Sequence, residues 1–277
     1  MKRMMGLVLI LALTLTLAAC GGAKTTTTPA AGDTKSPAPA AAKTHLDEIK
    51  AAGKLVLGTS ADYPPYEFHK TVDGKDTITG WEIELAQEIA KDMGVKLEIK
   101  EAAFDSLIPE LIAKKVDLVI SAMTITDDRA KSVDFSEPYW QGGQVILGLK
   151  EKAGQYKSLA DYKGKTIGVQ MGTTGEEEAK KIEGAKVKQV DKFDAVILDL
   201  LTGKVDVVIC GYTVGKNYEK NNAKLATFQQ LSSELNGVAF RKGDKELVAA
   251  VNASLAKIKS DGRLDKMVQK FEAEASK

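Results

Sequence analysis

Small hydroxyl side chains crowd ahead of one arginine in Ser121-Ala122-Met123-Thr124-Ile125-Thr126-Asp127-Asp128-Arg129. A guanidinium presents a rigid fork of donors that matches a carboxylate in two-pronged fashion. The hydroxyls of Ser121 and Thr124, with the amides of their loop, would add donors to the same anion. Without context the simpler role for Arg129 is a surface ion pair with Asp127 or Asp128. A second candidate is Gly172-Thr173-Thr174-Gly175, which stands between an apolar run and a charged one. Amides at a helix start attract anions, and Thr173 and Thr174 would reach the same group. The plain alternative is an ordinary threonine N-cap. The two histidines, His45 and His69, lack the companions of a zinc site or of a Ser-His-Asp triad. Neither a metal nor a cofactor is expected. Cys210 ends the run Val205-Asp206-Val207-Val208-Ile209-Cys210, so it reads as a packed thiol rather than a reactive one.

The elements that position these residues alternate. Leu55–Gly58 reads as a strand, and Tyr63-Pro64-Pro65-Tyr66 as a loop, since proline suits neither a helix interior nor a central strand. Trp81, Leu85, Ile89 and Met93 recur at spacing four, which predicts an amphipathic helix closed by Gly94. Val95–Ile99 and Val116–Ile120 read as strands around a helix at 106–114. The pattern restarts with a strand at Thr166–Val169, helices at 176–181 and 194–201, and a buried strand at Val205–Cys210. Residues 245–271 are helical by period, with a break near Asp261-Gly262. Alternating strands and helices imply an α/β sheet with helices packed on it. Leu111-Ile112-Ala113-Lys114-Lys115-Val116-Asp117-Leu118-Val119-Ile120 is echoed by Leu200-Leu201-Thr202-Gly203-Lys204-Val205-Asp206-Val207-Val208-Ile209. Two similar lobes explain that echo better than one large sheet.

Not all of the 277 residues belong to the fold. Lys2 and Arg3 precede an uncharged apolar run that ends at Leu17-Ala18-Ala19-Cys20, the pattern of a secretory signal peptide. The run is too short to span a bilayer. Its ending resembles the lipobox of bacterial lipoproteins, in which Cys20 carries lipid and becomes the mature N-terminus. Residues 20–44 then read as a lipidated cysteine and a disordered tether, poor in large apolar side chains. Removing residues 1–19 takes the formal charge from +1 to −1, counting Lys2 and Arg3. A near-neutral body gives no electrostatic case for nucleic acid. With Cys20 lipidated, Cys210 has no disulfide partner.

From about Leu46 to Phe271 the chain resembles the amino-acid-binding family of extracellular solute receptors for ABC importers. The motifs are Gly58-Thr59 with Tyr63-Pro64-Pro65-Tyr66-Glu67-Phe68, then Thr79-Gly80-Trp81-Glu82-Ile83-Glu84-Leu85, then Phe104-Asp105-Ser106-Leu107. The Ser121–Arg129 segment follows, then Asp134-Phe135-Ser136-Glu137-Pro138-Tyr139, the Gly172–Gly175 loop and Gly237-Val238-Ala239-Phe240. Each is weak singly; their order and spacing are specific. The resemblance implies a two-lobed, type II periplasmic-binding-protein-like α/β fold, with the ligand in a cleft between lobes joined by two hinge strands. It places lobe 1 at 45–147 plus 236–277 and lobe 2 at 148–235.

The resemblance also implies a site. Arg129 would hold the ligand's carboxylate, helped by Ser121, Ala122 and Thr124 and, from the second lobe, by Thr173 and Thr174. Ser60, Tyr63 and Phe104 match positions that line the side-chain pocket. Relatives that bind cationic side chains tend to carry an acid at the position of Ser60, although Asp62 lies two residues away. Gly211 departs from the pattern, because the family usually has there an aspartate that holds the α-ammonium. Asp62, Tyr212 or Glu234 would have to compensate, or ordinary α-amino acids bind weakly or in an altered pose. The function implied is capture of a small carboxylate-bearing solute, an amino acid or derivative, and its delivery to an ABC importer permease. The expected protein is a monomer, held to the outer face of the cell membrane by its lipid, and not an enzyme. A ligand-sensing receptor and a dehydratase-like enzyme on the same fold are the alternatives.

Overall fold

The computed structural model describes residues 43–274. Cys20 and the whole signal segment lie outside the described residues. The fold begins at Thr44, whose side chain and that of Asp47 cap each other's backbone at the start of the helix His45–Ala52.

Two five-stranded sheets follow one plan. The first runs Lys96–Glu101, Lys54–Thr59, Leu118–Val119, Ala239–Arg241, Val133–Phe135. The second runs Lys186–Val190, Thr166–Gln170, Val207–Gly211, Gln144–Leu149, Leu225–Gln230. In each, the first three strands are parallel and a returning strand pairs antiparallel with the third. The sequence echo has a physical cause here. The carboxylate of Asp117 accepts the N–H of Val56 at 2.8 Å, and that of Asp206 accepts the N–H of Thr166 at 2.8 Å. Each Val-Asp pair thus ties the chain entering the third strand to the second strand beside it.

The helix Trp81–Asp92 buries Trp81, Leu85 and Ile89 completely against the first sheet. Met93 falls just past the helix, as its C-cap, and is only partly buried. The C-terminal helical region divides into Lys245–Ser260 and Arg263–Glu274 around Asp261-Gly262. Several elements have no counterpart among the expected ones, and two of them flank the cleft's strands. One is the hairpin of Glu67–Val72 and Lys75–Thr79, whose residues beyond Phe68 are mostly exposed. The other is the helix Tyr212–Asn221, which starts directly where the strand ends at Gly211. The expected strand at Val116–Ile120 narrows to Leu118–Val119, because the parallel partner Leu57-Gly58 offers pairing only there.

Two connections link the sheets, and they run side by side. Trp140–Gly142 pairs antiparallel with Glu234–Asn236. Gly143 follows with φ +150°, and a Cβ there would stand 2.2 Å from the carbonyl oxygen of Ser232. Only glycine lets the two connections approach so closely. The strand Gln144–Leu149 belongs to the second sheet along its whole length.

Candidate ligand-binding site

The strand ends of the two sheets face each other across a cavity. From the first sheet's side Ser60, Tyr63, Phe104, Ser121, Ala122, Thr124 and Arg129 line it. Thr173 and Thr174 line it from the second. Nine of the ten residues expected from the sequence therefore meet in one place. Ligands of open α/β sheets bind at such carboxyl ends of strands.

Arg129 sits in the short helix Asp127–Ser132, which Thr126 caps by accepting the N–H of Arg129 at 3.2 Å. Its guanidinium spans the cleft. One terminal nitrogen donates to the carbonyl of Thr124 at 2.7 Å and the other to the carbonyl of Gly172 at 3.0 Å. Phe104 supports it from below, with the guanidinium carbon 5.3 Å from the ring centre. The surface ion pair is not formed: Asp128 pairs with Lys131 at 3.0 Å, and no described acid lies within ion-pair distance of Arg129. Burial holds its pKa below the usual arginine value, against the opposing charges of Glu177 and Glu234. The guanidinium stays charged, with donors to spare.

Thr173 is the N-cap of the helix Thr174–Lys181, accepting the N–H of Glu176 at 3.2 Å. The plain cap and the cavity-lining position are both real, because the helix starts at the cavity wall. Thr124 and Thr174 point their hydroxyls at a feature the sequence left open. Both donate to one carboxylate oxygen of Glu234, at 2.7 and 2.8 Å, and Ser232 donates to the other at 2.8 Å. Burial raises the pKa of Glu234, but these bonds and one from Gln144 outweigh it, and the net shift is downward. Glu234, on the second connection, therefore joins the two lobes at the back of the cavity.

Gly211 does not line the cavity. Its N–H donates to the phenol oxygen of Tyr63 at 2.6 Å, and a Cβ there would stand 3.1 Å from that oxygen. The tyrosine fills the space into which an aspartate at 211 would project. Edge-on packing against Phe193, with ring centres 4.9 Å apart, keeps it there.

Three lining residues were not assigned from the sequence: Asp62, Gln144 and Gln170. The sequence offers Asp62 only as a substitute acid, and the two glutamines carry no motif. The Asp62 carboxylate is buried and has no basic partner among the described residues. It accepts from Ser60 at 3.1 Å, from Gln170 at 3.1 Å and from the N–H of Phe193 at 2.7 Å. That last bond caps the helix Phe193–Leu201, whose own N-cap Lys192 makes no such bond. Burial raises the Asp62 pKa more than these bonds lower it. Among the described residues no group of acids, histidines and cysteines is arranged to hold a metal ion, and no helix is long and apolar enough to cross a membrane.

Two similar α/β lobes, paired connections and a cavity between strand ends define a cleft-binding receptor for a small molecule. The chain belongs to the bacterial extracellular solute-binding proteins, family 3, whose family model matches residues 55–274. It is 35% identical over 229 residues to the L-cystine-binding protein TcyJ of Escherichia coli (strain K12), covering 82% of this chain and 85% of that one. Its fold is similar to that of AbpA, an amino acid ABC transporter substrate-binding protein from Streptococcus pneumoniae bound to L-arginine. That match has a TM-score of 0.80 at 35% identity and covers 83% of this chain and 99% of the other. The ancestral amino acid-binding protein AncCDT-1, a precursor of cyclohexadienyl dehydratase, matches with a TM-score of 0.77 at 38% identity, over 82% and 98% of the chains.

Proposed function

We propose that this solute-binding protein captures a small zwitterion, an amino acid or amino-acid derivative, and hands it to an ABC importer. One observation carries the ligand class. Among the described residues the cavity lining holds one cation, Arg129, and one carboxylate, Asp62, and neither forms an ion pair with a described residue. A buried charge without a partner is costly, and a ligand with a carboxylate and an ammonium satisfies both. In this reading Arg129 holds the carboxylate with the guanidinium N–H groups that Thr124 and Gly172 leave free, while the hydroxyls of Ser121, Thr124, Thr173 and Thr174 donate within the protein and shape the cavity wall. Asp62 supplies the charge that Gly211 lacks, so the ammonium sits elsewhere than in relatives with an aspartate at that position. The L-cystine and L-arginine named for the relatives support an α-amino acid as the first probe.

The location completes the reading. Acylation of Cys20 and the tether to residue 44 hold a monomeric receptor at the outer face of the membrane. The lobes are 45–147 plus 236–277 and 148–235, and the sheet membership of Gln144–Leu149 supports drawing the first crossing earlier, at Gly142-Gly143. We also propose that the protein is not an enzyme. Glu176, the acid nearest the Gly172–Gly175 loop, spends its carboxylate on the N–H of Gly172 at 2.8 Å and on Lys180 and Gln189. A general acid or base would need to be free. Turnover of prephenate would overturn this part.

A thermal-shift panel of L-arginine, L-histidine, L-cystine, further amino acids and simple organic acids tests the ligand class. Saturation at one hundred times Kd stabilises by about 2.7 kcal/mol, a shift of several degrees. At least one zwitterion should raise Tm, and organic acids without a cation should not. A flat response across the amino acids rejects the proposal.

A further inference from the structure

Behind the cavity wall two acids, Glu67 and Glu82, have none of their surface exposed. Their side chains contact each other, and no basic residue among the described ones forms an ion pair with either. Glu82 is the better supplied. One of its oxygens accepts the N–H of Ala122 at 2.8 Å, and the other accepts the hydroxyl of Tyr139 at 2.6 Å. Glu67 accepts only from Ser121, at 3.0 Å, through Oε1, and its Oε2 meets no donor.

Two negative carboxylates buried in contact without a basic partner repel strongly, and such a pair keeps a proton. The orphaned Oε2 marks where it resides. A protonated Glu67 donates from Oε2 to Glu82, which satisfies every oxygen of the pair. The same pair grips the ligand loop twice, through the Ser121 hydroxyl and the Ala122 amide. The Ser121 hydroxyl in turn accepts the N–H of Ser60 at 3.0 Å. Ala122 has φ +45°, a left-handed conformation that costs a residue with a side chain about 1–3 kcal/mol and persists only when its surroundings enforce it.

We propose that Glu67 and Glu82 share one proton, with Glu67 as the acid and Glu82 as the carboxylate, and that this pair is the positioning device for the Ser121-Ala122 corner of the ligand cavity. The groups facing it agree with that assignment. Tyr139 and Tyr66 are phenols whose burial keeps them neutral. Asp62 adds a further negative charge, and burial together with the charge of Glu82 pushes the Glu67 carboxyl well up. The proposal rests on the functional reading only in that the corner lines the ligand cavity. Its test uses unliganded protein, so the two fail separately.

Glu67→Gln mimics the acid, since its amide donates to Glu82 while its carbonyl accepts from Ser121. Glu82→Gln sets an amide donor against the N–H of Ala122 or the hydroxyl of Tyr139. Infrared spectra at neutral pH should show a protonated-carboxyl band in the wild type that is missing from Glu67→Gln. Thermal or urea unfolding across pH adds a second readout. Glu67 is protonated when folded and ionised when unfolded, so wild-type stability is fully present below the ordinary glutamate pKa. It declines as pH rises through the folded value. Relative to Glu67→Gln, the wild-type folding constant should fall by up to tenfold per pH unit in that window. The Ala122 amide should exchange at least about tenfold faster in Glu82→Gln and within about threefold of wild type in Glu67→Gln. Parallel pH profiles for wild type and Glu67→Gln, an unchanged infrared band, or failure of Glu67→Gln to fold would overturn the proposal. If Glu82→Gln does not fold, the Glu67→Gln results decide alone.

Discussion

Arg129 and Asp62 share one cavity without neutralising each other, which sets what a substitution at either does. Arg129→Ala removes the two-pronged donor and should weaken binding of the active zwitterion by about 2–5 kcal/mol, roughly 30-fold to a few thousand-fold, by calorimetry. Asp62→Asn should also weaken it while leaving simple carboxylates unaffected. The pH dependence separates the two residues. The Asp62 carboxyl is raised above the ordinary 3.8, first by burial, so it gains its proton at a higher pH than a surface aspartate. Attraction for the ligand's ammonium is present when Asp62 is ionised and is lost as pH falls through the raised value. Wild-type Kd should therefore rise on acidification, and Asp62→Asn should flatten that limb. An identical acid limb in both proteins would remove Asp62 from the cation's site. At this scale the sequence was informative where a motif existed, as at Ser121–Arg129. It was silent on Gln144 and Gln170, because single glutamines on strands carry no pattern until two strands are brought to one cavity.

The connections between the sheets are sensitive to backbone shape. Gly143 holds φ +150° with no room for a Cβ against Ser232, whereas nothing lies within 4 Å of a Cβ at Gly154. Gly143→Ala should cost on the order of 3 kcal/mol in urea unfolding, and Gly154→Ala should stay within about 0.5 kcal/mol. Equal losses would mean that the close passage of the connections does not constrain the fold. The helix Phe193–Leu201 shows a related dependence, since its start is capped by Asp62 from the other lobe. Periodicity located that helix to within a residue. It gave no hint that the cap comes from 131 residues away, because capping rules read from sequence see only neighbours.

Across the whole molecule the lobes meet through direct bonds. Arg129 reaches Gly172, Tyr63 reaches Gly211, Asp62 reaches Phe193, and Glu234 gathers hydroxyls from both sides. These contacts hold the two lobes together around the cavity. A ligand that bridges Arg129 and Asp62 favours the closed state by its extra affinity for it. Small-angle scattering should therefore show a smaller radius of gyration on adding the zwitterion that raises Tm, and no change for Arg129→Ala. A radius insensitive to ligand would mean that the free protein is already closed in solution.

The sequence by itself determined the α/β alternation, the repeated Val-Asp unit and the hydroxyl-rich run before Arg129. Each depends on local period or on a contiguous motif. It also marked Gly211 as the place where an expected acid is missing. Only the tertiary structure decided what stands there instead. Tyr63 fills that space because Phe193 packs against its ring, and Asp62 becomes the cavity's carboxylate because strands far apart in sequence end at one cleft. The Glu67–Glu82 pair was invisible for the same reason. Each acid is unremarkable within its own motif, and the shared proton arises only when folding excludes water and brings the two together.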